Sequence, residues 1–323
     1  MSYRRKPNIA ITIGDPAGIG PEVVLKSLRE LVKICEPIVI CDYEFLRKEA
    51  GRFKIRVPDV FYIDMANISK KVVPGKVNAI CGRASYEYIE LAIRLAQEKI
   101  VDAMVTAPIT KEAFHAAGVK YPGHTEMLAD LTGTKDYAMM LTGDCLRVVL
   151  VTIHTSLASV PGLIKKEKVL KKITLTANWL KKYMKLKKPV IAVSALNPHA
   201  GEGGMFGKEE IKEIFPAIKA AKKIKGVEIM GPVVPDTLFY KAMKGEYDAI
   251  VCMYHDQGLI PLKMVGFETG VNITLGLPII RTSPDHGTAY DIAGKGIANP
   301  SSFIEAAKMA VYLAKNNKSI DNR

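Results

Sequence analysis

The chain has 323 residues, 48% of them hydrophobic, and a formal net charge of +13. That apolar content supports a sizeable core, more readily in two subdomains than in one, and no run nears the roughly 18 apolar residues of a membrane span. Cys35, Cys41, Cys81, Cys145 and Cys252 are odd in number, scattered and without a CxxC, which argues against a disulfide framework or a cysteine zinc site and for reduced, buried thiols.

The N-terminal MSYRRKPNIAITIGD is basic and then apolar, but it breaks at Gly14-Asp15-Pro16 without a small-residue cleavage site, so it reads as the first strand of a cytoplasmic protein. That strand spans 9–13 and leads into a helix over 21–31. The turn between them, GDPAGIGPEVV (Gly14–Val24), is either a phosphate loop or a tight strand-to-helix turn with Pro21 at the first helical position; it fits neither GxGxxG nor a Walker A. A strand at 37–41, a helix at 85–100 and a strand at 103–107 follow, then helices at 111–117 and 125–131. Gly123-His124-Thr125-Glu126 opens the second of these, with Thr125 able to cap it and free backbone N–H groups able to receive an anion.

Strands at 138–141 and 147–153 precede a helix over 167–185, in which Val169, Ile173, Ala177, Leu180 and Met184 form one stripe and the many lysines a solvated face. With only Trp179 and Tyr183 interleaved, that helix gives little support to nucleic-acid binding, whereas a basic balance suits anionic small substrates. The remaining elements are a strand at 190–195, helices at 208–222 and 236–244, strands at 249–254 and 271–275, and a helix at 302–315. Such alternation implies an α/β/α sandwich with a largely parallel sheet, whose ligands gather beyond the carboxyl ends of the strands.

His154, His199 and His255, three of only six histidines, each follow an expected strand. Each is either a capping or core histidine or a ligand; together they form an open three-imidazole set for Zn²⁺, Co²⁺ or another divalent ion that polarises a hydroxyl or carbonyl. Lys263, Asn272 and Arg281 stand among apolar residues, where charged side chains either snorkel or bind something, here a phosphate or carboxylate. The tail HGTAYDIAGKGIANP is a glycine-punctuated loop suited to a dinucleotide.

IGDPAGIGPE, GHTEMLA, HTSL, LNPHAGEGG, GPVVPDT, YHDQG and GVNITLGLPIIRTSPDHGTA, in that order along nearly the whole chain, closely resemble the 4-hydroxythreonine-4-phosphate dehydrogenase family of vitamin B6 biosynthesis. The resemblance implies a two-domain fold of the isocitrate/isopropylmalate dehydrogenase type, with a cofactor-side domain at 1–130 plus 285–323 and a metal and dimerisation domain at 131–284. It implies a homodimer whose active site lies in a cleft between domains and is shared by the subunits, acting with NAD or NADP and one divalent ion (Zn, Mg or Co) on a phosphorylated small molecule. The family's metal ligands match His154, His199 and His255, and its substrate contacts match His124, Thr125, Lys263, Asn272 and Arg281. By likeness to isopropylmalate dehydrogenases, His286, Gly287, Asp291 and Asn299 line the adenosine side, and an acidic Asp291 on the ribose favours NAD over NADP. Hydride then leaves C3 for nicotinamide and the β-keto acid loses CO₂, with Lys263, ahead of Asp256 or Asp236, as the proton acceptor; Asp236 is alternatively the cap of its own helix. Relatives that oxidise 4-phospho-D-threonate or 4-phospho-D-erythronate, or a cis-dihydrodiol of an aromatic acid, are the competing readings. A non-catalytic protein that kept the fold would have had no need of the histidines and anion contacts.

Overall fold

The computed structural model describes residues 5–321. The chain divides into two compact units, Met1–Lys135 with Leu277–Arg323, and Asp136–Gly276. In chain order the first unit carries β1 (Asn8–Thr12), α1 (Gly20–Ile34), β2 (Glu36–Cys41), α2 (Tyr43–Arg52), β3 (Phe61–Asp64), α3 (Ala79–Gln97), β4 (Ala103–Thr106), α4 (Lys111–Ala116) and α5 (His124–Leu131). The second unit carries β5 (Ala138–Gly143), β6 (Leu146–Leu150), α6 (Val160–Leu163), α7 (Lys166–Tyr183), β7 (Val190–Ser194), α8 (Phe215–Ala221), β8 (Glu228–Val233), α9 (Pro235–Met243), β9 (Ala249–Cys252), α10 (His255–Gly266) and β10 (Val271–Leu275). The chain then returns to the first unit with β11 (Arg281–Pro284) and α11 (Ser301–Asp321).

In the first unit the strands run β3-β2-β1-β4-β11, all parallel. Ile9, Ala10 and Ile11 of β1 are fully buried, the continuous apolar run of a central parallel strand covered on both faces. Each isoleucine buried in this way contributes roughly 1.5–3 kcal/mol. The second unit orders its strands β10-β5-β6-β9-β7-β8. Only the β10–β5 and β5–β6 pairs are antiparallel, so the largely parallel α/β class stands.

Several elements depart from the sequence reading. α2 starts at Asp42, whose carboxylate accepts the Phe45 N–H at 2.9 Å as an N-cap. β3, of four residues, and β8, of six, are partly exposed. The stretch after Tyr254, expected as strand end and loop, is instead α10, with Pro261 inside it. Packing overrides propensity there: Leu259 and Leu262 are buried, and a Cβ on Gly258 would sit 2.3 Å from Val148 Cγ1, so only glycine lets the helix lie this close to β6.

Among the cysteines four are buried, but Cys145, in the β5–β6 turn, is exposed. Trp179 and Tyr183 are buried in α7 and so absent from its lysine face. Lys172 is not on that face either: half-buried, it donates to the Tyr137 carbonyl at 2.7 Å, and burial lowers its pKa to about 8. No helix among the described residues is long and apolar enough to cross a membrane.

Candidate active site

In the first unit Arg281 begins β11 and is 2% exposed. Its Nε and Nη2 donate to Thr106 Oγ1 at the end of β4, at 3.1 and 2.8 Å, which fixes the guanidinium against the sheet. Burial lowers its pKa to about 9, so it remains a cation at neutral pH. His124 opens α5, and its Nε2 is enclosed without a hydrogen-bond partner. Burial first, and the positive charge of Arg281 second, hold its pKa well below the ordinary 6.5, so the ring is neutral.

The residue before α5, Gly123, is extended and no side chain caps the helix. Thr125, expected as a possible cap, lies inside the first turn and is 6% exposed. An uncapped helix start, an enclosed imidazole nitrogen and a buried guanidinium together make a seat for an anion. Leaving such a nitrogen without a partner costs about 1–3 kcal/mol, which a bound oxygen would offset.

A pH dependence follows. Since His124 is depressed in the fold, the unfolded chain binds the extra proton, so stability is complete above about pH 6.5 and declines as pH falls below it. His124→Asn is expected to flatten that acid limb, as measured by denaturant titration from pH 7 to 5; an unchanged slope would exclude His124 as its source.

Gly14–Val24 is not a phosphate loop. Residues 14–24 are all buried, Ala17 N–H goes to Asp15 Oδ1 (2.8 Å), Gly18 N–H to the Asp15 carbonyl (3.0 Å) and Ile19 N–H to the Thr288 carbonyl (3.0 Å). These donors are engaged within the chain, so the tight-turn reading holds. A Cβ on Gly14, at φ +67°, would fall 2.3 Å from the Pro108 carbonyl oxygen.

In the loop after β11, His286 Nδ1 donates to the Gly287 carbonyl (3.0 Å). Gly287 and Asp291 are exposed, and a Cβ on Gly287 would meet nothing within 4 Å. Asn299 has a job beyond the one expected: its Oδ1 accepts the Ser301 N–H (3.0 Å) and hydroxyl (2.7 Å) at the start of α11.

The second unit positions the three histidines by strand order, since β6, β9 and β7 are consecutive neighbours and each is followed by one of them. His154 and His255 come together, with ring centroids 5.8 Å apart, and share a cleft of about 420 Å³ with Thr155, Leu157, Tyr254 and Asp256. Asp256 Oδ1 lies 2.6 Å from His255 Nδ1, so of the two ring nitrogens Nε2 is the one that this contact leaves available to a ligand. His199 does not join the pair: among the described residues no three His, Cys, Asp or Glu side chains assemble closely enough to hold a metal.

His199 sits instead in a left-handed turn, with φ of 50°, 55°, 78°, 40° and 67° from His199 to Gly203, its ring 6.4 Å from that of Phe206. Each non-glycine residue so placed costs roughly 1–2 kcal/mol, strain of the kind found at functional loops. The turn is clamped by a residue the sequence reading passed over, Glu210. Although 3% exposed, it accepts from Leu196 N (2.8 Å), Asn197 N (2.8 Å) and Asn197 Nδ2 (2.9 Å). Its only signal was an acid on the apolar side of a helical pattern.

Lys263 lies on α10, half-buried, with Nζ 5.8 Å from the Phe267 ring centroid. Asn272 projects from β10 with its Oδ1 enclosed and without a partner. Asp236 is exposed in the first turn of α9, where an acid favours the helix dipole.

Residues 33–310 match the family model for pyridoxal phosphate biosynthetic protein PdxA. A 4-hydroxythreonine-4-phosphate dehydrogenase from Trichlorobacter lovleyi is 47% identical over 330 residues, covering 96% of this chain and 98% of the relative. A D-threonate 4-phosphate dehydrogenase from Cupriavidus necator is 45% identical over 337 residues, covering 95% and 97%. Among solved structures, a 4-hydroxythreonine-4-phosphate dehydrogenase from Klebsiella pneumoniae superposes with a TM-score of 0.88 at 42% identity, covering 97% of this chain and 99% of that one.

Proposed function

The chain belongs to the PdxA family, and from that premise we propose that it is a nicotinamide- and metal-dependent oxidoreductase acting on 4-phosphohydroxy-L-threonine. NAD, when bound, would take hydride from C3, and a base of the chain would take the hydroxyl proton. The 2-amino-3-oxo-4-phosphohydroxybutanoate so formed loses CO₂ to yield 3-amino-2-oxopropyl phosphate, a step in pyridoxine phosphate synthesis. The observation that carries this reading is the anion seat of the first unit, where the partnerless, enclosed Nε2 of His124 lies under the charge of Arg281 at the uncapped start of α5. A phosphate supplies a partner for the His124 ring and acceptors for the uncapped start of α5, with the charge of Arg281 beside them.

In this reading His124, Thr125 and Arg281 take phosphate, Lys263 and Asn272 contact substrate, and Lys263 accepts the hydroxyl proton. His154 and His255 would hold one divalent ion, with His199 as the third ligand once its turn brings the ring to theirs. Two imidazoles, one of them braced by a carboxylate, suit Zn²⁺ or Co²⁺ better than the oxygen-seeking Mg²⁺. That ion would act as a Lewis acid on the substrate oxygen, and NAD would take the hydride. His286, Gly287, Asp291 and Asn299 line the cofactor, and the exposed carboxylate of Asp291 is chemically suited to ribose hydroxyls and repels a 2′-phosphate, favouring NAD over NADP.

The cofactor belongs in this reading to the first unit and the metal to the second. The reading also includes a cytoplasmic homodimer. In its favour, Ile260 and Met264 of α10 and Phe267 at its C-cap form one exposed apolar stripe, 60%, 81% and 75% exposed, beside Lys263.

4-Phospho-D-threonate oxidation is the second reading, favoured by a relative of nearly equal identity that carries that name. NADH absorbance decides between them, with each substrate offered alongside Zn²⁺, Co²⁺ or Mg²⁺. Turnover of the amino acid at least about tenfold above the sugar acid is the expected result; turnover of the sugar acid alone would overturn it.

A further inference from the structure

The turn Gly14–Val24 is buried throughout and takes no ligand of its own, yet it holds two carboxylates, Asp15 and Glu22, that are 0% and 1% exposed. Both reach the loop at 286–299. Asp15 Oδ2 accepts the Tyr290 hydroxyl at 2.6 Å and the Thr110 hydroxyl at 2.8 Å, and those two hydroxyls lie 2.9 Å apart. Glu22 Oε1 accepts the Ala298 N–H at 2.7 Å and pairs with Lys26 Nζ at 2.7 Å. Lys26 then donates to the carbonyls of Gly296 (2.9 Å) and Ala298 (2.8 Å), so all three ammonium protons are engaged. The Ile19 N–H takes the Thr288 carbonyl at 3.0 Å.

We infer that this turn is a latch: Asp15 through Tyr290, and Glu22 with Lys26 through Gly296 and Ala298, hold the 286–299 loop in the conformation that receives the dinucleotide. The inference rests on the cofactor reading above. Residues 286–299 contain no helix or strand, so apart from two turn bonds, Ile292 N–H to the Ala289 carbonyl (3.0 Å) and Lys295 N–H to the Ile292 carbonyl (3.2 Å), the backbone of the loop is held by the contacts from outside it. The anchors alternate with the proposed cofactor contacts along the chain, Thr288 following Gly287, Tyr290 preceding Asp291 and Ala298 preceding Asn299. A buried carboxylate is also costly where packing alone is needed: Glu22 Oε2 is enclosed without a partner, a cost that Oε1 offsets through the loop and Lys26. Asp15 and Glu22 are thus positioning residues, acting on the cofactor only through the loop.

The test uses the full-length protein and the variants Tyr290→Phe, Glu22→Ala and Glu22→Gln. Tyr290→Phe keeps the ring and removes only the hydroxyl, so it remains informative if the Glu22 variants fold poorly. Amide exchange of peptides covering 286–299, without ligand, is expected to speed up roughly tenfold in Tyr290→Phe and Glu22→Ala. The KM for NAD should rise by about the same factor, with kcat and the substrate KM within about threefold of wild type. Glu22→Gln, which keeps an acceptor for Ala298 N–H, should lie between Glu22→Ala and wild type. Unchanged exchange in Tyr290→Phe, or equal rises in both KM values, would overturn the latch. Protection of 286–299 by NAD in the wild-type chain checks the cofactor reading separately: without it that reading fails, whatever the variants do.

Discussion

Arg281→Ala is expected to raise the KM for the phosphorylated substrate roughly a hundredfold while leaving the KM for NAD within about twofold, as losing one or two charge-assisted hydrogen bonds of about 1.5–3 kcal/mol predicts. The side chain is 2% exposed and already oriented by Thr106, so its reach toward an anion is set before the ligand arrives. Arg281→Lys keeps the charge but loses the planar fork and the two-point hold on Thr106, and should recover only part of the loss. Removing so large a buried side chain also leaves a cavity, so melting temperature has to be followed beside kinetics. The charge deletion has an independent signature at His124: one of the two causes depressing its pKa disappears while burial stays, so the ring pKa should rise in Arg281→Ala. An unchanged substrate KM in a folded variant, or equal loss for substrate and NAD, would remove Arg281 from the substrate site.

What the sequence could reveal of this seat, and what it could not, follows from where its signals lie. β4 and β9 are buried along their whole length and β1 everywhere but Asn8, each built on an apolar run, the usual signature of a buried parallel strand. β11, which presents Arg281, reads RTSP and is nonetheless buried at all four positions. Its burial comes from β4 beside it and α11 over it, a tertiary fact with no local pattern. α10 carries a glycine and a proline that argue against a helix, and close packing on β6 outweighs both.

The histidines show the same division. Their placement after strands was legible because ligands collect at strand ends. That β9 lies between β6 and β7, making His255 the middle member, depends on strand order, which one sequence does not encode locally. Asp15 and Glu22 looked like parts of an anion loop because glycine-rich turns serve both purposes. Only the partners of the backbone N–H groups separate the two.

Because it is the middle one, His255 should be the most sensitive metal ligand. His255→Ala is expected to abolish retention of Zn²⁺ or Co²⁺ through dialysis and to lower turnover by roughly a thousandfold or more. Metal content and the rise in melting temperature on adding Zn²⁺ report the loss without relying on activity. His154→Ala should show the same kind of loss to a smaller degree, since its ring lies 5.8 Å from that of His255 in the same cleft. His199→Ala asks a different question, because its ring rides on a strained left-handed turn held at its base by Glu210. Metal affinity reduced by about a hundredfold or more there means that the turn delivers a third ligand, whereas unchanged affinity would end its claim.

Asp256→Asn separates the two roles open to that carboxylate. As the brace on His255 Nδ1, at 2.6 Å, its loss should weaken metal binding about 10- to 100-fold and be relieved by excess metal. As the proton acceptor, its loss would leave metal binding intact and depress kcat at saturating metal. With the carboxylate 69% exposed and turned onto its neighbour, the first pattern is the expected one.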